Sequence, residues 1–238
     1  MRTGMDRPLH IIWDLDGTLV DSEREVMDAI VRSVREAGLS EKSQKSPFRV
    51  GPTIDRMLDE AFGVGVLAPE KKAEIISLFR RNYDGCGFNN TPAFDGIEDI
   101  LADGRFVHHV VTNKPDVATG RILEKLGWKK YFVSAITPYS FIESPDDRRK
   151  TKAELFAICM EEYPGESFVG VGDMDTDARA AMENGIPAIG VLWGTGTREE
   201  LEGCGCTRLA DTAAQLKEML MAMTGVYAKS RDMSITQN

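Results

Sequence analysis

Leu9-His10-Ile11-Ile12-Trp13-Asp14-Leu15-Asp16-Gly17-Thr18 opens with an apolar run, Leu9–Asp14, that reads as a buried strand. The strand ends in two aspartates two residues apart. In an extended segment such a pair shares one side. Crowded carboxylates repel, so they call for a cation or a shared proton. Gly17 permits a tight turn and lets backbone N–H groups approach an anion. A solvated Asp-Gly turn that merely closes a strand would look the same, so the meaning depends on what lies at the other strand ends.

Working outward, Ser22 with Glu25 forms a capping-box pattern, with Val26, Ile30, Val34 and Ala37 on one helical face and Gly38 as the stop. Residues of about 39–92 differ in character. Ile54, Met57, Leu58, Ala61 and Phe62 fall at helical spacing, and Pro69 opens a helix carrying Ile75, Ile76, Phe79 and Tyr83. No strand pattern interrupts them, so this stretch reads as a helical insertion.

After Pro92 strand and helix alternate. Asp95 with Glu98 caps a helix to Leu101, and Phe106–Thr112 is a strand. Pro115–Leu126 is a helix, Val133–Thr137 a strand, and Thr151–Tyr163 a helix. Ser167–Gly172 is a strand, Asp177–Asn184 a helix, and Ala188–Leu192 a strand. Thr197 with Glu200 caps another helix, Asp211–Met223 is the last, and the polar tail after Gly225 is expected to fray. Such alternation predicts an α/β fold: a doubly wound, Rossmann-like parallel sheet. Ligands bind such sheets at the carboxyl ends of the strands.

Three further strand ends matter. Val110-Val111-Thr112-Asn113-Lys114 brings a hydroxyl and an amide that can hydrogen-bond an oxyanion, or that cap the helix opening at Pro115. Arg148-Arg149-Lys150-Thr151-Lys152 sets cations at a helix start, against the macrodipole, an arrangement easier to understand with an anion nearby. Gly170-Val171-Gly172-Asp173-Met174-Asp175-Thr176-Asp177 places three aspartates within five residues of a strand end. Asp175 is explicable as a cap. Asp173 and Asp177 fit a hard divalent cation, and an oxygen-only ligand set favours magnesium over zinc.

The run from Asp14 to Ser22 resembles the first motif of haloacid dehalogenase superfamily phosphatases. Thr112 with Asn113 is similar to the second motif, the basic run to the third, and Gly172–Asp177 to the fourth. The helical stretch falls where that family places its first-type cap. The resemblance implies a core of residues 1–21 and 93–238 with a helical cap of 22–92. It implies Asp14 as nucleophile and Asp16 as general acid and base. It further implies Mg2+ held by Asp14, the main-chain carbonyl of Asp16, Asp173 and Asp177, and phosphate oxygens held by Gly17, Thr112 and Asn113. No Lys-Pro occurs in the third motif, so Lys150 and Lys152 both stand as candidates for its lysine.

Asp16 favours phosphoryl transfer, because a dehalogenating relative needs no proton for its halide. Residues 188–201, with Ala210, Asp211 and Leu216, are similar to phosphoglycolate phosphatase-like members. Phosphoglycolate is therefore one expected substrate, with the cap turn Gly51-Pro52-Thr53 and Arg49 as the expected specificity region. A sugar-phosphate mutase or pyrophosphatase remains the alternative, although Thr53 and Ile54 stand where mutases place a basic residue. A phospho-receiver domain fits poorly, since both chemical acids lie on the first strand.

Composition fits this reading. Of 238 residues, 42% are apolar, enough for one core domain with an insertion. The formal charge of −9 disfavours nucleic acid and anionic membranes. The expected partner is a small phosphorylated metabolite, bound by a monomer or homodimer. Cys86, Cys159, Cys204 and Cys206 lack zinc or redox spacing and read as reduced thiols. Met1–Pro8 has no signal-like apolar run and no stretch of about 18 apolar residues exists, so a cytoplasmic, non-membrane protein is expected.

Overall fold

The computed structural model describes residues 8–40, 43–51, 53–141 and 148–235, with side chains as far as residue 224. The signal-peptide reading of the N-terminus and Pro52 of the expected cap turn lie outside the described residues. The chain divides into two compact units, residues 1–19 with 93–238, and residues 20–92.

Among its described residues the first unit is built on six strands: β1 (Leu9–Trp13), β2 (Phe106–Val111), β3 (Phe132–Ile136), β4 (Phe168–Gly172), β5 (Ala188–Val191) and β6 (Leu209–Ala210). All pair in parallel, in the order β3-β2-β1-β4-β5-β6. The chain order reverses direction at β1, so β1 lies between β2 and β4. In this topology the crevice beyond the carboxyl ends of the central strands is the natural ligand position. Asp14, Thr112 and Asp173 each follow the last residue of one of these three strands.

β1 is buried at every residue, as a strand covered on both faces must be. Ile12 packs with Leu155, Phe156 and Cys159 of α6 (Lys152–Glu161) and with Ala178 and Ala181 of α7 (Asp175–Glu183). Alternation turns Ile11 and Trp13 to the opposite face, where they are equally buried. The unit's other helices are α4 (Ile97–Leu101), α5 (Asp116–Lys125), α8 (Arg198–Gly203) and α9 (Ala213–Ile235). The chain's three histidines lie inside this sheet region. His10 Nδ1 and His109 Nε2 are 2.9 Å apart, His109 Nδ1 meets Ser134 Oγ at 2.8 Å, and the Trp13 indole N–H donates to His108 Nδ1 at 2.9 Å.

The second unit contains α1 (Glu23–Glu36), α2 (Ile54–Phe62) and α3 (Pro69–Asp84), with no strand among its described residues. Met57, Leu58, Ala61 and Phe62 of α2 and Ile75, Phe79 and Tyr83 of α3 are buried at the expected helical spacing. Lys72 ties the two helices together by ion pairs to Asp55 and Asp59, at 3.0 and 2.9 Å. No helix among the described residues is long and apolar enough to cross a membrane.

Several local expectations change. Ser22 precedes α1 but makes no side-chain cap; Glu25 instead accepts a 2.6 Å hydrogen bond from the Asn90 N–H, a partner far along the chain that outcompetes the local box. Asp95 does not cap α4, whose N-cap is Gly96 in the left-handed region. Neither Thr112 nor Asn113 caps α5, which follows Pro115. α7 begins at Asp175, two residues early. The short β6 went unrecognised, and α9 continues past Met223 to Ile235 rather than fraying at Gly225. The Thr197–Glu200 capping box forms as expected.

Candidate active site

The site assembles where β1, β4 and β2 end. The Asp14 N–H donates to the Val171 carbonyl at 2.9 Å, which fixes the β1 end against β4. Asp14, Asp173 and Asp177 are all buried, and one carboxylate oxygen from each lies within 4.8 Å of the others. Gly17 makes this approach possible. It has φ +77°, and a β-carbon there would collide with the Asp173 carboxylate. Gly172 plays the same part for Asp177, whose carboxyl occupies the space a side chain would need.

Each acid is held by specific donors. Thr18 Oγ1 donates to Asp173 Oδ1 at 3.2 Å. Asp173 Oδ2 accepts from the Thr195 N–H at 2.8 Å and from Thr195 Oγ1 at 3.1 Å. Asp177 Oδ2 accepts from the Met174 N–H at 3.0 Å across the first turn of α7. Trp193 secures the turn itself, donating its indole N–H to the Thr18 carbonyl at 3.1 Å.

Lys152 supplies the counter-charge. Its Nζ lies 2.7 Å from Asp14 Oδ1 and also pairs with Asp177 Oδ1. It stands at the first position of α6, where Thr151 and Glu154 form a complete capping box. That cap fixes the helix start and so the direction of the lysine. Lys150 goes elsewhere: its ammonium lies 5.5 Å from the ring centre of Phe141. Of the two candidate lysines, only Lys152 is brought to the acids. The two-residue offset decides the matter, because Lys150 precedes the helix and Lys152 belongs to its first turn.

The electrostatics follow from burial. Loss of water pushes the Asp14 carboxyl up to about 6 against the pull of Lys152, with Asp177 and Asp16 adding repulsion. Burial and then the Asp14 charge raise Asp173 to about 6, opposed by the Thr195 N–H. Burial raises Asp177 as well, against the pull of Lys152. Burial alone would lower Lys152, but Asp14 and Asp177 outweigh it and hold the ammonium above its ordinary range. Three crowded acids that lean toward protonation despite an adjacent lysine form a set that a hard divalent cation would relieve. Their all-oxygen donors suit such an ion.

Thr112 is buried at the end of β2 and its Oγ1 accepts from the Lys114 N–H at 3.2 Å; Asn113 is exposed. Arg49 is exposed within the helical unit. Sequence reasoning missed two features. Thr195 approaches Asp173 from the loop after β5, and no residue type in that loop announces it. Lys114 is buried, and its Nζ lies 2.8 Å from each oxygen of Asp16. A signal for Lys114 was present: a lysine three residues beyond the end of β2, the strand that neighbours β1.

Comparison with known proteins agrees with this geometry. Residues 9–185 match the family model described as haloacid dehalogenase-like hydrolase. The chain is 29% identical to tyrosine-protein kinase PtkA of Mycobacterium tuberculosis, over 90% of this chain and 73% of that protein. It is 28% identical to a phosphoglycolate phosphatase of Xanthomonas campestris, over 79% of this chain and 84% of that one. Among solved structures, a predicted phosphatase from Clostridium acetobutylicum superposes with a TM-score of 0.75 at 26% identity, covering 90% of this chain and 99% of the other. The sheet order, the clustered strand-end acids and the matched span together place this chain in the haloacid dehalogenase-like hydrolases, and it is an enzyme of that family.

Proposed function

We propose that this enzyme is a magnesium-dependent phosphatase that hydrolyses a small phosphate monoester through a phosphorylated Asp14. The observation that carries the reading is the buried convergence of Asp14, Asp173 and Asp177 with Lys152 beside the nucleophile. Asp14, Asp173, the Asp16 carbonyl and Asp177 would hold Mg2+, which supplies charge neutralisation for the phosphoryl oxygens when bound. Lys152 neutralises charge on the nucleophile's other side and fixes the carboxylate for attack. Gly17 N–H, Thr112 Oγ1 and Asn113 N–H are the donors for phosphoryl oxygens.

The chain's own groups then act in two steps. Asp14 Oδ attacks phosphorus while the ester P–O bond breaks, and Asp16 gives its proton to the leaving oxygen. Asp16, now ionised, takes a proton from water as the water oxygen bonds to phosphorus and the Asp14–phosphorus bond breaks. Inorganic phosphate leaves, and Asp14 and Asp16 regain their starting states.

For the substrate, similarity to a phosphoglycolate phosphatase supports phosphoglycolate or another small anionic ester. The helical unit inserted between β1 and β2 carries substrate selection. A second reading, transfer of the phosphoryl group to a protein tyrosine instead of water, has the likeness to PtkA behind it. A screen of phosphate esters carrying a labelled phosphoryl group, run with a tyrosine-containing protein present and with and without Mg2+, separates the two. The phosphatase reading expects steady phosphate release from at least one ester, abolished by chelation. Label retained on protein tyrosine without phosphate release would favour the second reading. Metal-independent release, or none, would overturn the first.

A further inference from the structure

We propose that Lys114 is a positioning residue that orients Asp16 for proton transfer to the leaving group. The inference rests on the phosphatase reading above for the role of Asp16. It stands on geometry. The Lys114 ammonium meets both Asp16 oxygens at 2.8 Å, so rotation of the carboxylate about its own bond is restrained from two sides. The lysine side chain is 4% exposed and the Asp16 side chain 26%, so the cation is buried while the acid keeps access to solvent.

The anchor of the lysine is equally specific. Its backbone N–H donates to Thr112 Oγ1, and β2, from which it emerges, is the hydrogen-bonded neighbour of β1. One residue therefore links the threonine proposed to hold phosphate with the acid proposed to serve the leaving oxygen. A proton donor must sit within hydrogen-bond reach of its acceptor and stay aligned as the bond breaks. Asp16 follows the end of β1 in a turn closed by Gly17, so the strand itself does not fix its carboxylate. Lys114 holds it by both oxygens. Its charge is also compatible with an anionic leaving group such as glycolate, although the positioning role requires no such group.

A role through Asp16 has a signature that general destabilisation lacks. Alkoxide leaving groups need a proton, whereas p-nitrophenolate leaves unaided. Lys114→Met and Lys114→Arg would be compared with wild type on an alkyl phosphate turned over by the wild type and on p-nitrophenyl phosphate, with folding checked by circular dichroism and thermal melting. In Lys114→Met the expected kcat on the alkyl ester falls by about 100-fold with KM changed less than about threefold, since general acid catalysis contributes on that order. The first-turnover burst of p-nitrophenolate stays within about threefold of wild type. Breakdown, which also needs Asp16, becomes slow, so phosphorylated enzyme accumulates in acid-quenched samples. Lys114→Arg, whose guanidinium can also meet both carboxylate oxygens, recovers much of the alkyl-ester rate.

Equal losses in the first-turnover rates on both esters, or no loss on either, would overturn the proposal. A structure of folded Lys114→Met with Asp16 in its original orientation would overturn it too, whatever the rates. Absence of turnover by the wild-type enzyme on every ester would instead strike the phosphatase reading, and the two failures are separate.

Discussion

Replacing Lys152 with Met should destabilise the metal-free protein by about 3 kcal/mol, and added Mg2+ should return much of the loss. In the native site the Lys152 ammonium touches Asp14 and Asp177, and its side chain is 7% exposed. Methionine keeps the length and removes the charge, leaving the three acids within 4.8 Å of one another without that cation. Removing one partner of a buried ion pair costs about 3–5 kcal/mol. Proton uptake offsets part of this. Asp14 and Asp173 already sit at about 6, so little further shift is needed for the cluster to bind a proton at neutral pH. The lower end of the range is therefore expected. For a chain of this size, about 3 kcal/mol corresponds to a fall of roughly 6–12 °C in melting temperature. The assay is calorimetric melting in chelator and then in Mg2+. At a concentration of 100 times its Kd the ion adds about 2.7 kcal/mol, and the variant should gain more than wild type because more unbalanced charge awaits it. Lys150→Met is the internal control, expected to change stability by less than about 0.5 kcal/mol. A Lys152→Met melting point within about 2 °C of wild type in chelator would refute the reasoning, as would equal effects of the two substitutions.

Asp14→Asn should melt like wild type in chelator, or slightly higher because it removes repulsion, while phosphate release falls by about 10,000-fold or more. Gly17→Ala should cost about 2 kcal/mol or more in urea unfolding, because alanine is strained at φ +77° and its methyl would collide with Asp173. Acid sensitivity should come from the buried histidines. Burial pushes His108 down to about 4; burial, with repulsion from His10, pushes His109 down to about 3. Both native rings stay neutral while the unfolded chain takes up protons below pH 6.5, so stability is present at neutral pH and falls as pH drops. The loss should reach about 2 kcal/mol for each ring by pH 5, read from urea midpoints. Asp14 and Asp173, raised to about 6, take up protons in the folded state over the same range and offset this loss. The histidine contribution is therefore read as the difference from a His108→Gln/His109→Gln variant, and equal pH dependence of the two proteins would contradict it.

The sheet was legible because β1, β2 and β4 are short apolar runs with chemistry at their ends, and a strand buried on both faces leaves that pattern in any neighbourhood. The clustered acids were legible for the same reason: Asp14 and Asp173 follow the last residues of adjacent strands, so their meeting needs only the strand order. Lys114 was not assigned, because its value lies in a partner 98 residues away and lysine after a strand is usually a solvated residue. Lys150 and Lys152 could not be separated until the start of α6 was known to one residue, and that depended on Thr151 engaging Glu154. Glu25 illustrates the converse. It had the spacing of a local cap and took a distant backbone partner instead, since local patterns state what a residue can do, and tertiary neighbours decide what it does.

The most direct test of the phosphoryl-Asp14 mechanism is chemical. Enzyme quenched during turnover of a phosphate ester is reduced with borohydride, which converts an acyl phosphate on aspartate to homoserine, and the modified residue is then located by peptide mass spectrometry. Homoserine at position 14, absent without substrate and absent in Asp14→Asn, is the predicted result. Modification at a different residue, or unmodified Asp14 in enzyme quenched while a slowed variant is accumulating phosphoenzyme, would contradict the account.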